Sequence, residues 1–328
     1  MTRAAAFALV ALLVGNLAAA QDVPIPRNQA QQIEQAVPAK PRVAPRKPRR
    51  VLIWNTPDHL LDKDPHKGYC TPYGNHAMKT LGTKTGAFEP VASSDVSVFL
   101  PDSIRPFDGI ILNNACGDWI VPSEEAMKKM AGRGDRAAVE ALLRRGFSEW
   151  LTGGGGVAAY HYALGANRAW PEFARMMGAR LGGHPWNEEV GVQVEEPAHP
   201  LVAAFQGRGF RFHDELFQFA DPYDRAKVRV LLSIDPAVTN MEPKNYTLRA
   251  DKDFPMAYVA KVGRGRVFYT VFGHRTETYK DARMLQFYLD GIQFALGDLE
   301  APADPRPSGA CEPSRAPAAA PISNPKVL

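Results

Sequence analysis

Two imidazoles follow short, apolar, β-rich runs: His161 in Tyr160-His161-Tyr162-Ala163, after Val157 to Tyr160, and His274 in Gly273-His274-Arg275, after Arg266 to Phe272. An unperturbed imidazole titrates near neutrality, so two of them facing each other across a cleft suit acid/base work. Between them lie Gly183-His184-Pro185-Trp186, His199-Pro200 and His213-Asp214-Glu215-Leu216. Five of the eight histidines therefore fall in short segments flanked by glycine, proline or acid, and not on apolar helix faces. Taken together they point to a site. Asp214 and Glu215 read equally as partners of an imidazole or as a polar turn.

These groups need a scaffold. Strands are expected at Val51 to Trp54, Gly109 to Leu112 (ending in Asn113-Asn114), Val157 to Tyr160, Val228 to Ile234 and Arg266 to Phe272. Helical spacing places Val139, Leu142, Leu143, Phe147 and Trp150 on one face of Ala137 to Leu151, and helices are also expected at Asn167 to Met177 and Arg283 to Leu296. Such alternation implies one α/β domain built on a mostly parallel, doubly wound sheet covered on both faces. In such sheets active groups collect at the carboxyl ends of the strands. His161 then occupies a strand-to-helix turn with the geometry of a nucleophile elbow. The glycines at 153 to 156 end a helix and precede a strand, the wrong order for a dinucleotide loop. Gly263-Arg264-Gly265-Arg266 reads as a hairpin turn between apolar strands.

The chain begins with a secretory pattern: Arg3, the small and apolar run Ala4 to Gly15, and Ala18-Ala19-Ala20 before Gln21. Residues 1–20 are accordingly expected to be a signal peptide cleaved near Ala20, leaving a secreted or periplasmic protein. No later segment has the length of uncharged apolar sequence that crosses a bilayer. Residues 21–50 read as a basic, proline-rich linker, 51–298 as the domain and 299–328 as a disordered Pro/Ala-rich tail. Seven of the basic residues sit in the linker, and the body beyond it is mildly acidic, which argues against a nucleic-acid partner. Of Cys70, Cys116 and Cys311, the first two are the better candidates for a disulfide in an oxidising compartment.

Several of these segments, in order, resemble the ThuA-like (trehalose utilisation) family: Gly155-Gly156-Val157 leading to His161, Gly183-His184-Pro185, His199-Pro200-Leu201, Asp214-Glu215-Leu216, and Gly263 to Tyr269 leading to Gly273-His274. The closing Gly291-Ile292-Gln293-Phe294-Ala295 also fits, and the stretch Thr56 to Tyr73, with His59, His66 and Cys70, departs from the pattern. The resemblance implies a fold like that of the class I glutamine amidotransferases, a flavodoxin-like sandwich. Those enzymes keep a cysteine at the elbow and a histidine, then a glutamate, after a later strand. Here His161 stands at the elbow and His274 with Glu277 resembles the later pair, so no thiol is placed for glutaminase chemistry.

The resemblance further implies carbohydrate metabolism, with a small sugar or keto-sugar as partner. In that reading His161 and His274 move protons with Asp214 or Glu215 orienting them. Tyr160, Tyr162, His184, Trp186 and Asn113 line the sugar, with Trp186 or Tyr162 stacking on its ring. A metal-assisted form would use zinc on His161, His213 and His274, although no close pair such as a helical His-x-x-x-His is present. The alternative is a noncatalytic carbohydrate-binding or scaffold protein on the same fold.

Overall fold

The computed structural model describes residues 23–306 and 312–317; the segment expected to be a signal peptide lies outside them, as does Cys311. The helices are α1 (Arg27–Ala36), α2 (Thr71–Thr85), α3 (Pro101–Ile104), α4 (Glu124–Lys129), α5 (Arg136–Thr152), α6 (Pro171–Met177) and α7 (Ala282–Ala295). The strands are β1 (Arg50–Trp54), β2 (Glu89–Ser93), β3 (Gly109–Asn113), β4 (Gly156–Tyr160), β5 (Arg180–Leu181) and β6 (Trp186–Val194). They continue as β7 (Phe210–Leu216), β8 (Phe219–Ala220), β9 (Arg229–Ile234), β10 (Pro255–Val262) and β11 (Gly265–Thr270). Among the described residues no helix is long and apolar enough to cross a membrane.

The main sheet has the order β2-β1-β3-β4-β11-β10-β9-β6-β7. From β2 to β11 neighbours run parallel, and beyond β11 they alternate. β3 and β4 are buried at every position, as expected for strands covered on both faces. α2 and α7 pack together on one side of the sheet, and α5 packs with α3 on the other. Pro171 opens α6 because its missing N–H is an orphan at that position anyway, so the helix starts later than Asn167. Gly263, at φ +60°, makes the β10–β11 hairpin turn.

The β6–β7 ribbon decides the site. It pairs with β9 only through Val192, Gln193 and Val194. Its far end, free of the sheet, carries Asp214 and Glu215 back over the carboxyl ends of β4 and β11, where Asp214 accepts from Gly273 N–H at 2.9 Å.

Two segments differ from their expected character. Residues 23–49, read as a solvated linker, form α1 and a strap that packs on the domain, with Ile33 and Val37 buried. The strap is ordered because α7 and its exit present buried acids that need cations: Arg42 meets Asp290 at 2.7 Å, and Arg49 meets Asp298 at 2.6 Å. The described part of the tail is likewise attached. Ser314 pairs with Val194 in both directions at 2.9 Å, and Ala316 N–H donates to Asp235 at 3.0 Å. Cys70 and Cys116 are both buried free thiols, so no disulfide joins them.

Candidate functional site

β4 and β11 are parallel neighbours with Tyr160 opposite Thr270, so their exits emerge side by side. His161, the first residue after β4, adopts φ +47°, a left-handed conformation costly for any residue with a Cβ. That turn aims the buried imidazole along the strand ends. Its Nδ1 lies 2.8 Å from the Val271 carbonyl, which can only accept, so Nδ1 carries the proton and Nε2 offers a lone pair. Phe217 stacks on the ring at 4.4 Å between centroids.

Three other groups meet that lone pair. His274 Nδ1 stands 3.3 Å from His161 Nε2, and Glu215 Oε2 stands 3.4 Å from each of them. His66, from the loop after β1, brings a buried ring whose centroid is 5.2 Å from that of His161 and 5.5 Å from that of His274. One donor atom from each of the four residues lies within 4.8 Å of all the others. Burial pushes the His161 and His274 imidazoles below their ordinary value, leaving them neutral near pH 7. Burial alone would raise the Glu215 carboxyl, and only protonated forms of the surrounding imidazoles, His161 first, would bring it below the usual range. A carboxylate among imidazole lone pairs is a cation-binding set.

A buried polar frame holds these groups. Asp214 accepts from Gly273 N, Arg275 N and Thr278 Oγ1, each at 2.9 Å, and so fixes the loop that carries His274. Its burial is complete enough to raise the carboxyl to about 6 in spite of those donors. Gly273 has φ +141°, and a Cβ there would lie 3.0 Å from Tyr279 Oη and 3.3 Å from the His161 Cβ. On the other side Asp64 accepts from His66 N at 2.8 Å and from Thr56 Oγ1 at 2.9 Å, and its Oδ1 stands 3.3 Å from His66 Nδ1.

Of the expected catalytic groups, His161, His274 and Glu215 converge and Asp214 positions their loop. Glu277, expected to partner His274, is exposed and faces Lys280 at 3.9 Å. His213, expected as a metal ligand, is exposed on β7, two residues and so about 7 Å of extended chain from Glu215. Trp186 is fully buried, donates to Asn240 O at 2.7 Å and packs on Phe254, so it cannot stack on a ligand. Tyr160 is buried against Tyr288, with centroids 4.6 Å apart, and is core for the same reason. Asn113 is also buried, donating to Thr71 O at 3.1 Å and Asn75 Oδ1 at 2.9 Å; it supports the floor beneath Tyr279 and does not line the opening. Tyr162 and His184 do lie at the site. The Tyr162 ring is 5.0 Å from His66, and exposed His184 reaches Glu215 Oε1 at 3.5 Å while bonding Tyr246 Oη.

Two residues at the site were not among the expected site residues. His66 belongs to an irregular loop, and nothing in its spacing links it to His161 and His274, about a hundred and about two hundred positions away. Tyr69, 42% exposed with its ring 5.1 Å from His274, is the aromatic at the mouth. Cys116 is not a nucleophile: it is buried, and burial raises its thiol to about 11.

The family model for ThuA, described as trehalose utilisation, matches residues 50–295. No curated protein matches the chain. Among solved structures, a ThuA-like protein from Bacteroides uniformis is similar at 20% identity and a TM-score of 0.51, over 79% of this chain and 94% of that one. A ThuA-like protein from Parabacteroides merdae is similar at 19% identity and a TM-score of 0.50, over 76% of this chain and 90% of that one. At such identities the likeness speaks for the fold.

Proposed function

The chain belongs to the ThuA (trehalose utilisation) family, and from that premise we propose that it is an exported enzyme acting on a sugar or keto-sugar derivative. The observation that carries the enzymatic reading is the convergence of His66, His161, Glu215 and His274 in one cluster. A noncatalytic sugar-binding module would need aromatic platforms and hydroxyl partners, and would gain nothing from gathering three imidazoles around a carboxylate. The reaction class this set suits is polarisation of a carbonyl with loss of the adjacent proton, leading to isomerisation, elimination or hydrolysis. Export is supported by the signal-like sequence at residues 1–20.

His161 and His66 are buried, while Tyr69 and His184 stand exposed beside the cluster, with Tyr246 bonded to His184. A ring lying on Tyr69 would bring its carbonyl towards the cluster below. The test is a turnover screen of the purified mature chain on glycosides and 3-keto-glycosides, with His161→Ala in parallel. We expect turnover of a keto-glycoside and a loss of about 100-fold or more in the variant. No turnover across the panel, or equal turnover by the variant, would reject the reading.

A further inference from the structure

We infer that His66, His161, Glu215 and His274 form a mononuclear site for a divalent transition metal of the zinc type. The first argument is metrical. Zinc bonds to imidazole and carboxylate are about 2.0–2.1 Å long, so neighbouring ligands of a tetrahedral ion stand about 1.63 times that apart, about 3.3–3.4 Å. The three separations among His161 Nε2, His274 Nδ1 and Glu215 Oε2 are 3.3, 3.4 and 3.4 Å. They trace one face of such a tetrahedron.

The second argument counts protons. His161 spends its proton on Val271 O, so its Nε2 can only accept, and ionised Glu215 can only accept. At most one proton, on His274 Nδ1, is left for two acceptors. The buried His66 ring brings one nitrogen within 4.8 Å of the other three donor atoms, and its Nδ1 stands 3.3 Å from Asp64 Oδ1. A single cation would be shared by all four groups, whereas a single proton can bridge only two of them.

The donor set fixes the class of ion. Three imidazoles and one carboxylate suit zinc and its neighbours, whereas magnesium and calcium prefer all-oxygen shells. The supports are also those of a metal site: Val271 O fixes the His161 tautomer, and the Asp64 carboxylate stands beside the His66 ring. The four ligands come from the loop after β1, the exits of β4 and β11, and β7. The cluster therefore forms only in the folded chain. If the ion acts on a sugar carbonyl, as a Lewis acid, that step rests on the function proposed above; the binding site itself does not.

The test uses the purified mature chain, stripped with chelator and titrated with Zn²⁺ and Co²⁺ by calorimetry and visible absorption. We expect one ion per chain and cobalt d–d bands of a four- or five-coordinate N/O site. Glu215→Gln and His274→Ala should weaken binding by about 100-fold or more, and His213→Ala should leave it unchanged. Binding well below one ion per chain, or an octahedral all-oxygen cobalt spectrum, would overturn the inference even if a ligand variant failed to fold. Turnover without metal binding would reject the metal and keep the enzyme; binding without turnover would do the reverse.

Discussion

His161 and His274 are separated by 113 residues, yet their facing nitrogens lie 3.3 Å apart. Parallel register between β4 and β11 brings the two exits together, and the turn at Gly273 brings the second imidazole back over the first. The close approach leaves no space for a side chain at that turn.

Gly273→Ala should therefore damage the site more than the fold. The new Cβ would stand 3.0 Å from Tyr279 Oη and 3.3 Å from the His161 Cβ, so both must give by a few tenths of an ångström, and the ligand atoms beside them move with them. Parallel measurements of metal affinity and thermal unfolding test this: a fall in stability with unchanged affinity would contradict it.

Asp64 holds the His66 loop through its backbone and stands beside the ring. Asp64→Ala should weaken metal binding by about 10–100-fold with the fold intact, as for other outer-shell carboxylates. Calorimetric titration with Zn²⁺, next to a circular dichroism spectrum, reads both quantities. Unchanged affinity would remove Asp64 from the site.

Tyr69 is exposed over His274 and buries nothing of the core. On any substrate found for the enzyme, Tyr69→Ala should raise KM by about 5–10-fold, the worth of one aromatic stacking contact, while metal content stays at the wild-type level. Steady-state kinetics with metal analysis is the check, and an unchanged KM would place the sugar elsewhere.

His199 gives a pH dependence with a definite sign. Its Nε2 donates to Pro302 O at 2.9 Å and its Nδ1 accepts from Leu201 N at 3.3 Å, so the folded state requires the neutral ring. Burial lowers its pKa from 6.5. The unfolded chain then binds the proton more readily, and the stability contributed by His199 is complete above about pH 6.5 and lost as pH falls through the lowered folded value. Unfolding midpoints between pH 7.5 and 5 should drop more steeply for the native protein than for His199→Gln; parallel slopes would refute the assignment.

Arg49 ties the N-terminal strap to the body through Asp298 and Asp108. Arg49→Ala leaves the buried Asp298 carboxylate without its cation and should cost about 3 kcal/mol, seen in a denaturant titration. A loss under about 0.5 kcal/mol would mean that the strap merely rests on the surface.

The sequence was informative wherever chemistry and local pattern coincide. Short apolar runs ending in His161, Asn113 and His274 located β4, β3 and β11, because a strand buried on both faces must be apolar throughout and its polar groups can appear only at the exit. The same logic found Glu215 but not its neighbours' roles. Trp186 and Tyr160 lie close in sequence to His184 and His161, yet they end or begin strands and turn into the core, while the histidines lie in the loops beyond those ends. His213 was misjudged because adjacency in a strand is not proximity at its end.

What the sequence by itself determined is the α/β domain, its family and three of the four converging groups. Tertiary structure alone decided the rest. The fold of the β6–β7 ribbon back over β4 and β11 delivers Glu215, and the loop after β1 delivers His66. The basic stretch before β1 is ordered by Asp290 and Asp298, buried acids whose need for a partner becomes visible only when α7 is in place. Each depends on contacts between segments far apart in the chain, where neither periodicity nor spacing carries a signal.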